Sequence, residues 1–277
     1  MRYYSDSHIH STYTQHPSMY YSTMVQQAQK AVELGLCSIT ITEHLDVDDL
    51  LGPKCGYIPH LPMEAYHQEY LEVKEAFCRE LDVRFGVEIG LMDGAMEETV
   101  EILKDWAFDF KIASVHHFKN SFDYSDRTLW EQHPELSKVD GMLAYLSAIR
   151  TYGEQLGDFD VIGHLTYLSR MCPWEDPEIR YGDAPEEIDA FLKWVIGLGR
   201  GIEINGGYLE RLGFLIPGLD IVTRYRELGG EILTIGSDAH GAEGLGLGLH
   251  EGMDLAAAAG FRYYTTFHRR MPMFHKL

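Results

Sequence analysis

The sequence predicts an α/β fold that closes into a barrel of consecutive strand–helix units. Two observations support this expectation. Apolar strand patterns and amphipathic helix patterns alternate along the 277 residues, as they do in proteins with parallel sheets. The alternation continues for seven or eight units without a linker rich in proline, glycine or serine, and so many units favour a closed barrel. We therefore expect a single domain that covers residues 1–277.

Each predicted strand is a short run of apolar and β-branched residues. The strands are, in order, the run that ends at His10, then Cys37–Thr42, Val83–Glu88, Phe110–Val115, Phe159–Ile162, Gly201–Ile204 and Glu231–Gly236. A further run, Phe261–Tyr264, is a candidate closing strand.

Residues at helical spacing fill most of the intervals between these strands. Ser22 is a suitable N-cap for the first helix, and Pro185 predicts the first turn of another. The predicted buried faces of the first and third helices are Val25, Ala28 and Val32, and Met96, Val100 and Leu103. The last helix is predicted at Glu251–Ala259. Long polar loops are expected at about residues 118–140 and 165–183.

The charge of the chain limits its partners. Lys and Arg number 23 and Asp and Glu number 43, which gives a formal net charge of 23 − 43 = −20. A nucleic-acid polymer or an anionic membrane surface requires a basic face, so we expect neither as a partner. A small phosphate monoester remains compatible, because bound divalent cations reverse the sign of the local charge.

The cysteines and the hydropathy of the chain indicate its compartment. Cys37, Cys55, Cys78 and Cys172 have neither zinc-knuckle nor redox spacing, which favours reduced thiols. The N-terminus has no apolar signal region, and no apolar run reaches the length of a membrane span. We therefore expect a cytoplasmic protein.

Residues with metal-binding side chains follow the predicted strands in series. Asp6, His8 and His10 project from one face of the first strand, because strand residues alternate in direction. A lone His-x-His in a chain with 14 histidines can arise by chance. The later strands make chance a poor explanation, because they end at Glu43-His44, Glu88, His116-His117, His164, Asn205, and Asp238 with His240.

These residue types predict a metal site at the C-terminal ends of the strands. Barrel enzymes place their chemistry at that end, and imidazole with carboxylate suits Zn, Fe or Mn. Adjacent residues of a strand point to opposite faces, so we interpret Glu43 and His117 as supporting residues rather than ligands. Asp6 is interpreted as a hydrogen-bond acceptor behind the histidines.

The same residues resemble a known family over essentially the whole chain. The matching motifs are, in order, His8-x-His10 with His16 six positions on, Glu43-His44, Glu88, His116-His117, Gly163-His164-Leu165 and Ser237-Asp238-Ala239-His240. They resemble the polymerase and histidinol phosphatase (PHP) superfamily. The Gly-His-Leu-x-x-x-x-Arg loop and the Phe-His-Arg-Arg-Met-Pro segment are most similar to the histidinol-phosphate phosphatases within it.

The resemblance implies a distorted, TIM-like (β/α)7 barrel that holds three divalent metal ions, which are Zn, Fe or Mn. By position, the first metal would be held by His8, His10, Glu88 and Asp238. Glu88 would bridge to a second metal, held also by His116 and His164. The third metal would be held by His16, His44 and His240. Glu88, Asp238 and His240 are the expected catalytic residues.

The implied reaction is the hydrolysis of L-histidinol phosphate to L-histidinol and phosphate, a step of histidine biosynthesis. Metals that share a water lower its pKa, and the resulting hydroxide attacks phosphorus while the metals neutralise the phosphoryl oxygens. A phosphate dianion also favours an arginine, which gives two parallel hydrogen bonds. Arg170, six residues past His164, is the first candidate, and Arg211, six past Asn205, is the second. Asn205 either orients the substrate or closes a turn with Gly206-Gly207.

Three other functions compete with this interpretation. A PHP phosphoesterase that acts on nucleotides or DNA ends would need a basic groove, which a net charge of −20 disfavours. A non-catalytic, metal-stabilised regulatory domain would be favoured by missing ligands, and every ligand position is filled. An amidohydrolase commonly needs a carboxylated lysine, and no lysine ends a predicted strand.

Overall fold

Parallel strands form a nearly closed barrel, and helices connect most of them. The computed structural model describes residues 4–14, 21–47, 61–118, 122–124 and 127–277. Within these residues the strands are β1 (Ser5–Ile9), β2 (Ser38–Ile41), β3 (His44–Leu45), β4 (Asp82–Gly90), β5 (Phe110–Ser114), β6 (His117–Phe118), β7 (Phe122–Asp123), β8 (Val161–Ile162), β9 (Gly201–Asn205), β10 (Leu233–Gly236), β11 (Tyr263–His268) and β12 (Met271–Lys276). The helices are α1 (Met24–Glu33), α2 (Met63–Phe77), α3 (Met96–Leu103), α4 (Arg127–Gln132), α5 (Lys138–Leu156), α6 (Pro185–Gly197), α7 (Leu209–Leu212), α8 (Leu219–Glu227) and α9 (Leu249–Ala258).

The order of the strands confirms the predicted barrel. Seven strands follow one another as β1-β2-β4-β5-β8-β9-β10, every neighbouring pair is parallel, and the short β3 also pairs with β4. The first and last strands meet where Ile9 bridges Ala239. At this seam the amide of Asp238 donates to the carbonyl of His8 at 2.8 Å, and that of His10 to the carbonyl of Ala239 at 2.8 Å. The closure therefore sets the first strand's histidines beside Asp238.

The amino end of the barrel is covered by a hairpin rather than closed by an eighth strand. The candidate strand Phe261–Tyr264 is wrong in this respect, because β11 begins at Tyr263 and pairs antiparallel with β12. Phe267 of β11 packs with Phe110, Ile112 and Val161 at the starts of the strands. Arg84 donates to the carbonyl of Phe267 at 3.0 Å. Since β1 and β10 already meet, the hairpin has no gap in the barrel to fill.

The buried face of the first helix is only partly the one that hydropathy predicts. Ala28 is buried and Val32 is partly buried, but Val25 is 41% exposed and Gln27 is fully buried. Thr23 rather than Ser22 is the N-cap, and the Ser22 hydroxyl accepts a hydrogen bond from the amide of Ala242 at 2.9 Å. The Gln27 amide donates to the carbonyl of His10 at 2.8 Å and to that of Ala239 at 3.4 Å. The helix therefore buries a polar contact with the barrel seam beside its apolar residues.

Other local predictions were partly wrong. Val100 of α3 is exposed, and Thr99 is buried in its place because its hydroxyl donates to the carbonyl of Ala95. The loop predicted at 118–140 contains the β6–β7 hairpin and α4, and the loop at 165–183 contains two short 3₁₀ turns.

Among the described residues, no helix combines the length and apolar character that crossing a bilayer requires. Cys37, Cys78 and Cys172 are free thiols, and Cys55 lies outside the described residues.

Gly86 is required for the close packing of β4 against β2, and the substitution Gly86→Ala should show this. A Cβ at Gly86 would lie 2.7 Å from the Thr42 Cγ2 and 2.9 Å from the carbonyl oxygen of Ile41. Crowding of this kind in a core costs about 1–3 kcal/mol, so the free energy of unfolding in urea should fall by that amount. Gly197→Ala is the control, because its Cβ would meet nothing within 4 Å. It should be neutral or stabilising by about 0.5–1 kcal/mol. Equal stability of Gly86→Ala and the wild type would contradict the packing argument.

Candidate metal centre

Side chains from six strand ends converge at the carboxyl end of the barrel. Eight of the nine predicted metal ligands lie there, and the ninth, His16, is outside the described residues. The eight are His8, His10, His44, Glu88, His116, His164, Asp238 and His240. The parallel order of the strands explains the convergence, because all C-terminal ends reach the same rim.

Glu88 lies at the centre of this cluster, and its two carboxylate oxygens face different imidazoles. The Oε1 atom lies 3.1 Å from the Nε2 of His116 and 2.8 Å from the Nε2 of His164. The Oε2 atom faces the Nδ1 of His44 at 2.9 Å, the Nε2 of His8 at 3.3 Å and the Nε2 of His10 at 3.5 Å. The carboxylate therefore has the geometry of a bridge between two groups of nitrogens.

Asp238, which follows β10, completes the cluster on the side of the two β1 histidines. Its Oδ1 lies 3.2 Å from the Nε2 of His10 and 3.7 Å from that of His8. Asp238 and His164 both have positive φ angles, of 55° and 23°. Positive φ is costly for a residue with a Cβ and is common at functional sites. The backbone is thus held in an energetically unfavourable conformation at Asp238 and His164.

Hydrogen bonds behind the cluster fix which ring nitrogen of each β1 histidine carries the proton. The Nδ1 of His8 lies 2.7 Å from the Oε1 of Glu203, which can only accept, so Nδ1 donates. The Nδ1 of His10 lies 3.3 Å from the hydroxyl of Thr14. That hydroxyl already donates its only proton to Glu43 at 2.6 Å, so it accepts from His10. Both Nε2 atoms therefore present lone pairs to the cluster when the rings are neutral.

These nitrogen and oxygen atoms lie close enough together to coordinate a shared cation. The Nε2 atoms of His8 and His10 are 3.1 Å apart. The Oε2 of Glu88 and the Nδ1 of His44 are buried 2.9 Å apart, and neither has a hydrogen-bond partner among the described residues. Three sets of ligand atoms lie within 4.8 Å of one another: His8, His10 and Glu88; His44, Glu88 and His116; His10, His44 and His240. Imidazole and carboxylate sets of this kind fit divalent Zn, Fe or Mn.

The electrostatics of the metal-free cluster agree with this interpretation. Although burial penalises its charge, the neighbouring His8, His44 and His116 hold the pKa of Glu88 well below its usual range. The pKa of Asp238 is also lowered strongly, against the effect of burial, by His8 and His10. Burial disfavours protonated His8, but Glu203, Glu88 and Asp238 raise its pKa well above the ordinary value. The site therefore favours ionised carboxylates and attracts positive charge.

The sequence analysis missed two carboxylates that contact ligand-type histidines. Glu203 is fully buried against His8. Its position two residues before Asn205, on a strand buried throughout, was a usable sign of an inward-facing charge. Asp46 lies with its Oδ1 3.5 Å from the Nδ1 of His116. Burial alone would raise the pKa of Asp46, but the nearby His116 and His44 lower it to about 2. Asp46 follows His44 by two residues, so a strand places the two side chains on the same face.

Two of the residues that we interpreted as supporting groups, Glu43 and Asp6, lie behind the histidines. Glu43 accepts hydrogen bonds from the amide and the hydroxyl of Ser11, at 2.8 and 2.5 Å, in addition to that from Thr14. Asp6 accepts from the amides of Ser237 at 2.9 Å and Gly246 at 3.0 Å, and burial raises its pKa to about 6. Each carboxylate thus links β1 to the loop after a neighbouring strand.

The three predicted substrate residues differ in their surroundings. The Arg170 guanidinium lies between the rings of Tyr167 and Tyr208, 4.2 and 3.6 Å from their centroids, and its buried Nε has no hydrogen-bond partner among the described residues. Arg211 of α7 is exposed and contacts the sulfur of Met171.

Asn205 is committed to contacts inside the protein. Its amide nitrogen donates to Glu203 at 3.1 Å and to Asp238 at 3.4 Å, and its oxygen accepts from the amide of Gly207 at 3.0 Å. The hydrogen bond from Gly207 closes a turn, which is one of the two roles that the sequence left open. The side chain is 1% exposed and contacts Asp238 of the cluster, and its role toward a substrate stays a prediction.

Comparisons with a family model and with related proteins agree on one family. The model of the PHP domain family matches residues 6–207. A probable histidinol-phosphatase of Clostridium acetobutylicum is 28% identical over 251 residues, which are 91% of this chain and 92% of that protein. A histidinol-phosphatase of Lactococcus lactis is 26% identical over 238 residues, 86% of each chain.

A solved structure shares the fold. The crystal structure of histidinol phosphate phosphatase from Lactococcus lactis, complexed with zinc, L-histidinol and phosphate, superposes with a TM-score of 0.82. It is 24% identical in sequence, and the match covers 98% of each chain. The family model covers well over half of the residues and includes five of the six strand ends that converge on the cluster. The chain described here belongs to the PHP domain family.

Proposed function

We propose that this protein is a metal-dependent phosphatase that hydrolyses L-histidinol phosphate to L-histidinol and phosphate. The observation that supports this most directly is the convergence of eight ligand-type side chains, with Glu88 at their centre, at the barrel mouth. Relatives that match nearly the whole chain are named histidinol-phosphatases. The related Lactococcus structure was determined with zinc, L-histidinol and phosphate.

We propose three divalent metal sites in this cluster. The proximity of Glu88 and Asp238 to the Nε2 atoms of His8 and His10 supports the first site. The second would use the other oxygen of Glu88 with His116 and His164. The third would use His16, His44 and His240, and the grouping of the last two with His10 supports it. Zinc, iron and manganese all accept such ligands, so availability decides which is bound.

Different residues of the chain would position the metals and bind the phosphate. Bound divalent metals lower the pKa of water and neutralise charge on phosphoryl oxygens. Glu88, Asp238 and His240 would keep the metal positions at fixed separations. Arg170 would donate two parallel hydrogen bonds to the substrate phosphate, because stacking on two tyrosines holds its fork in one plane. Arg211 is the second candidate for this contact.

We also infer that residues 1–277 act as one domain in the cytoplasm. The C-terminal hairpin is tied to the barrel by Arg270, which pairs with Asp160 at 2.6 Å and Asp158 at 2.8 Å. A step in amino-acid biosynthesis and free thiols are both usual in the cytoplasm.

Removal of metal should abolish turnover of histidinol phosphate. Extensive chelation is expected to remove activity, and Mn²⁺ or Zn²⁺ should restore it, because without these ions the cluster cannot lower the pKa of a bound water. Phosphate release measures activity, elemental analysis measures metal, and far-UV circular dichroism checks that the fold persists. Full turnover by protein shown to be free of metal would exclude the proposed mechanism.

The substitution Glu88→Gln should release metal from two sites at once. Among the residues that the structure describes, this carboxylate is the only group that faces both His116 with His164 and His8 with His10. A neutral amide cannot offset two adjacent cations. The purified variant should hold at least two fewer metal ions per chain than the wild type. Asp160→Asn, a buried carboxylate at the amino end of the barrel, is the control and should keep the full complement. An unchanged metal count in Glu88→Gln would refute the bridging role.

The substitution Arg170→Ala should reduce kcat/KM without loss of metal. Losing a charged pair to a dianion costs on the order of 2–5 kcal/mol, or roughly two to three orders of magnitude in kcat/KM. Arg150→Ala is the control, because Arg150 is exposed and pairs only with Glu154 at 3.0 Å among the described residues. If kcat/KM of Arg170→Ala stays within threefold of the wild-type value, Arg170 does not bind the phosphate. Arg211→Ala would then be tested by the same measurement. A large drop together with lost metal would mean that Arg170 stabilises its loop instead.

A further inference from the structure

Glu203 is a fully buried carboxylate with hydrogen bonds to two histidines of the cluster. Its Oε1 accepts from the Nδ1 of His8 at 2.7 Å. Its Oε2 accepts from the backbone amide of His164 at 2.9 Å and from the side-chain amide of Asn205 at 3.1 Å. It thus holds the ring of one histidine and the backbone of another, which approach different oxygens of Glu88.

The three partners of Glu203 are all donors, so its position requires a group that only accepts. A glutamine of the same shape would have to turn its NH₂ toward one of them. If the NH₂ faced His8, the ring would have to accept at Nδ1 and carry its proton on Nε2, which removes the lone pair aimed at Glu88. If it faced His164, two N–H groups would oppose each other in a buried site.

A glycine on the neighbouring strand β10 leaves space for this carboxylate. A Cβ at Gly236 would lie 2.8 Å from the Oε1 of Glu203 and 2.4 Å from the Cβ of His8, so a larger residue would crowd both partners of this hydrogen bond. The close contact between Glu203 and His8 therefore depends on the absence of a side chain at Gly236.

We infer that Glu203 is a positioning residue that sets the tautomer of His8 and couples the His8 site to the His164 site. This inference rests on the proposed metal centre. Through its Oε1, Glu203 keeps the Nε2 lone pair of His8 aimed at the metal position beside Glu88. Through its Oε2, it stabilises the positive-φ backbone of His164. Carboxylates that orient ligating histidines typically contribute about 10–100-fold to metal affinity.

The test is zinc binding by the intact chain carrying Glu203→Gln, with isothermal titration from the metal-free state. We expect a 10–100-fold weaker affinity at the tightest sites than in the wild type. Asp109→Asn is the matched control: Asp109 is also buried and accepts from the backbone amides of Phe85 and Arg269, but at the amino end of the barrel. It should lose stability without losing zinc affinity. Failure of the wild type to bind zinc would refute the proposed metal centre itself. Wild-type binding with an unchanged Glu203→Gln would refute only the role of Glu203.

If the variant does not fold, the tautomer of His8 can be measured in the wild type instead. Nitrogen-15 NMR of histidine-labelled, zinc-loaded protein reports which ring nitrogen of His8 bears the proton. We expect a protonated, strongly hydrogen-bonded Nδ1 and a zinc-bound Nε2. Coordination through Nδ1, or a proton on Nε2, would overturn the assignment.

Discussion

The structure depends on the burial of a dense group of ionisable side chains at the mouth of the barrel. Two carboxylates and six imidazoles approach one another within a few ångströms, in a region where water is largely excluded. Buried groups of this kind are costly unless each is paired with a neighbour or coordinates a metal. Attraction between the two carboxylates and the neighbouring imidazoles offsets part of this cost, and the favourable folding of the barrel offsets the rest.

The supporting layer explains why the strand ends are so rich in buried polar residues. Glu203, Glu43 and Asp46 each lie close to a histidine ring, either directly or through a hydroxyl. Gln27 adds hydrogen bonds to two carbonyls at the seam of the barrel. Each group restricts a ring to one orientation or a strand to one register. The metal centre is therefore a property of the whole carboxyl rim, including residues that do not face the cluster.

The sequence was sufficient for the barrel and for most of the residues at its mouth. A period of two along a strand puts His8 and His10 on one face, and parallel strands bring successive ends to one rim. It was not sufficient where a polar group replaces an apolar one in the core. Val25 was predicted to be buried, whereas the structure exposes it and buries Gln27, because hydropathy carries no information about the seam that Gln27 joins. Glu203 was overlooked since its partners, His8 and His164, are distant along the chain.

The stacking of Arg170 between Tyr167 and Tyr208 has a consequence for how an anion would be captured. A free arginine side chain loses about 2 kcal/mol of rotamer entropy when it is immobilised. Here much of that loss occurs during folding, so an anion that binds Arg170 would cause little further loss. Lysine, which has no flat face to stack on a ring, could not be held in the same way. The two tyrosines thus fix a flexible side chain in one orientation before any anion arrives.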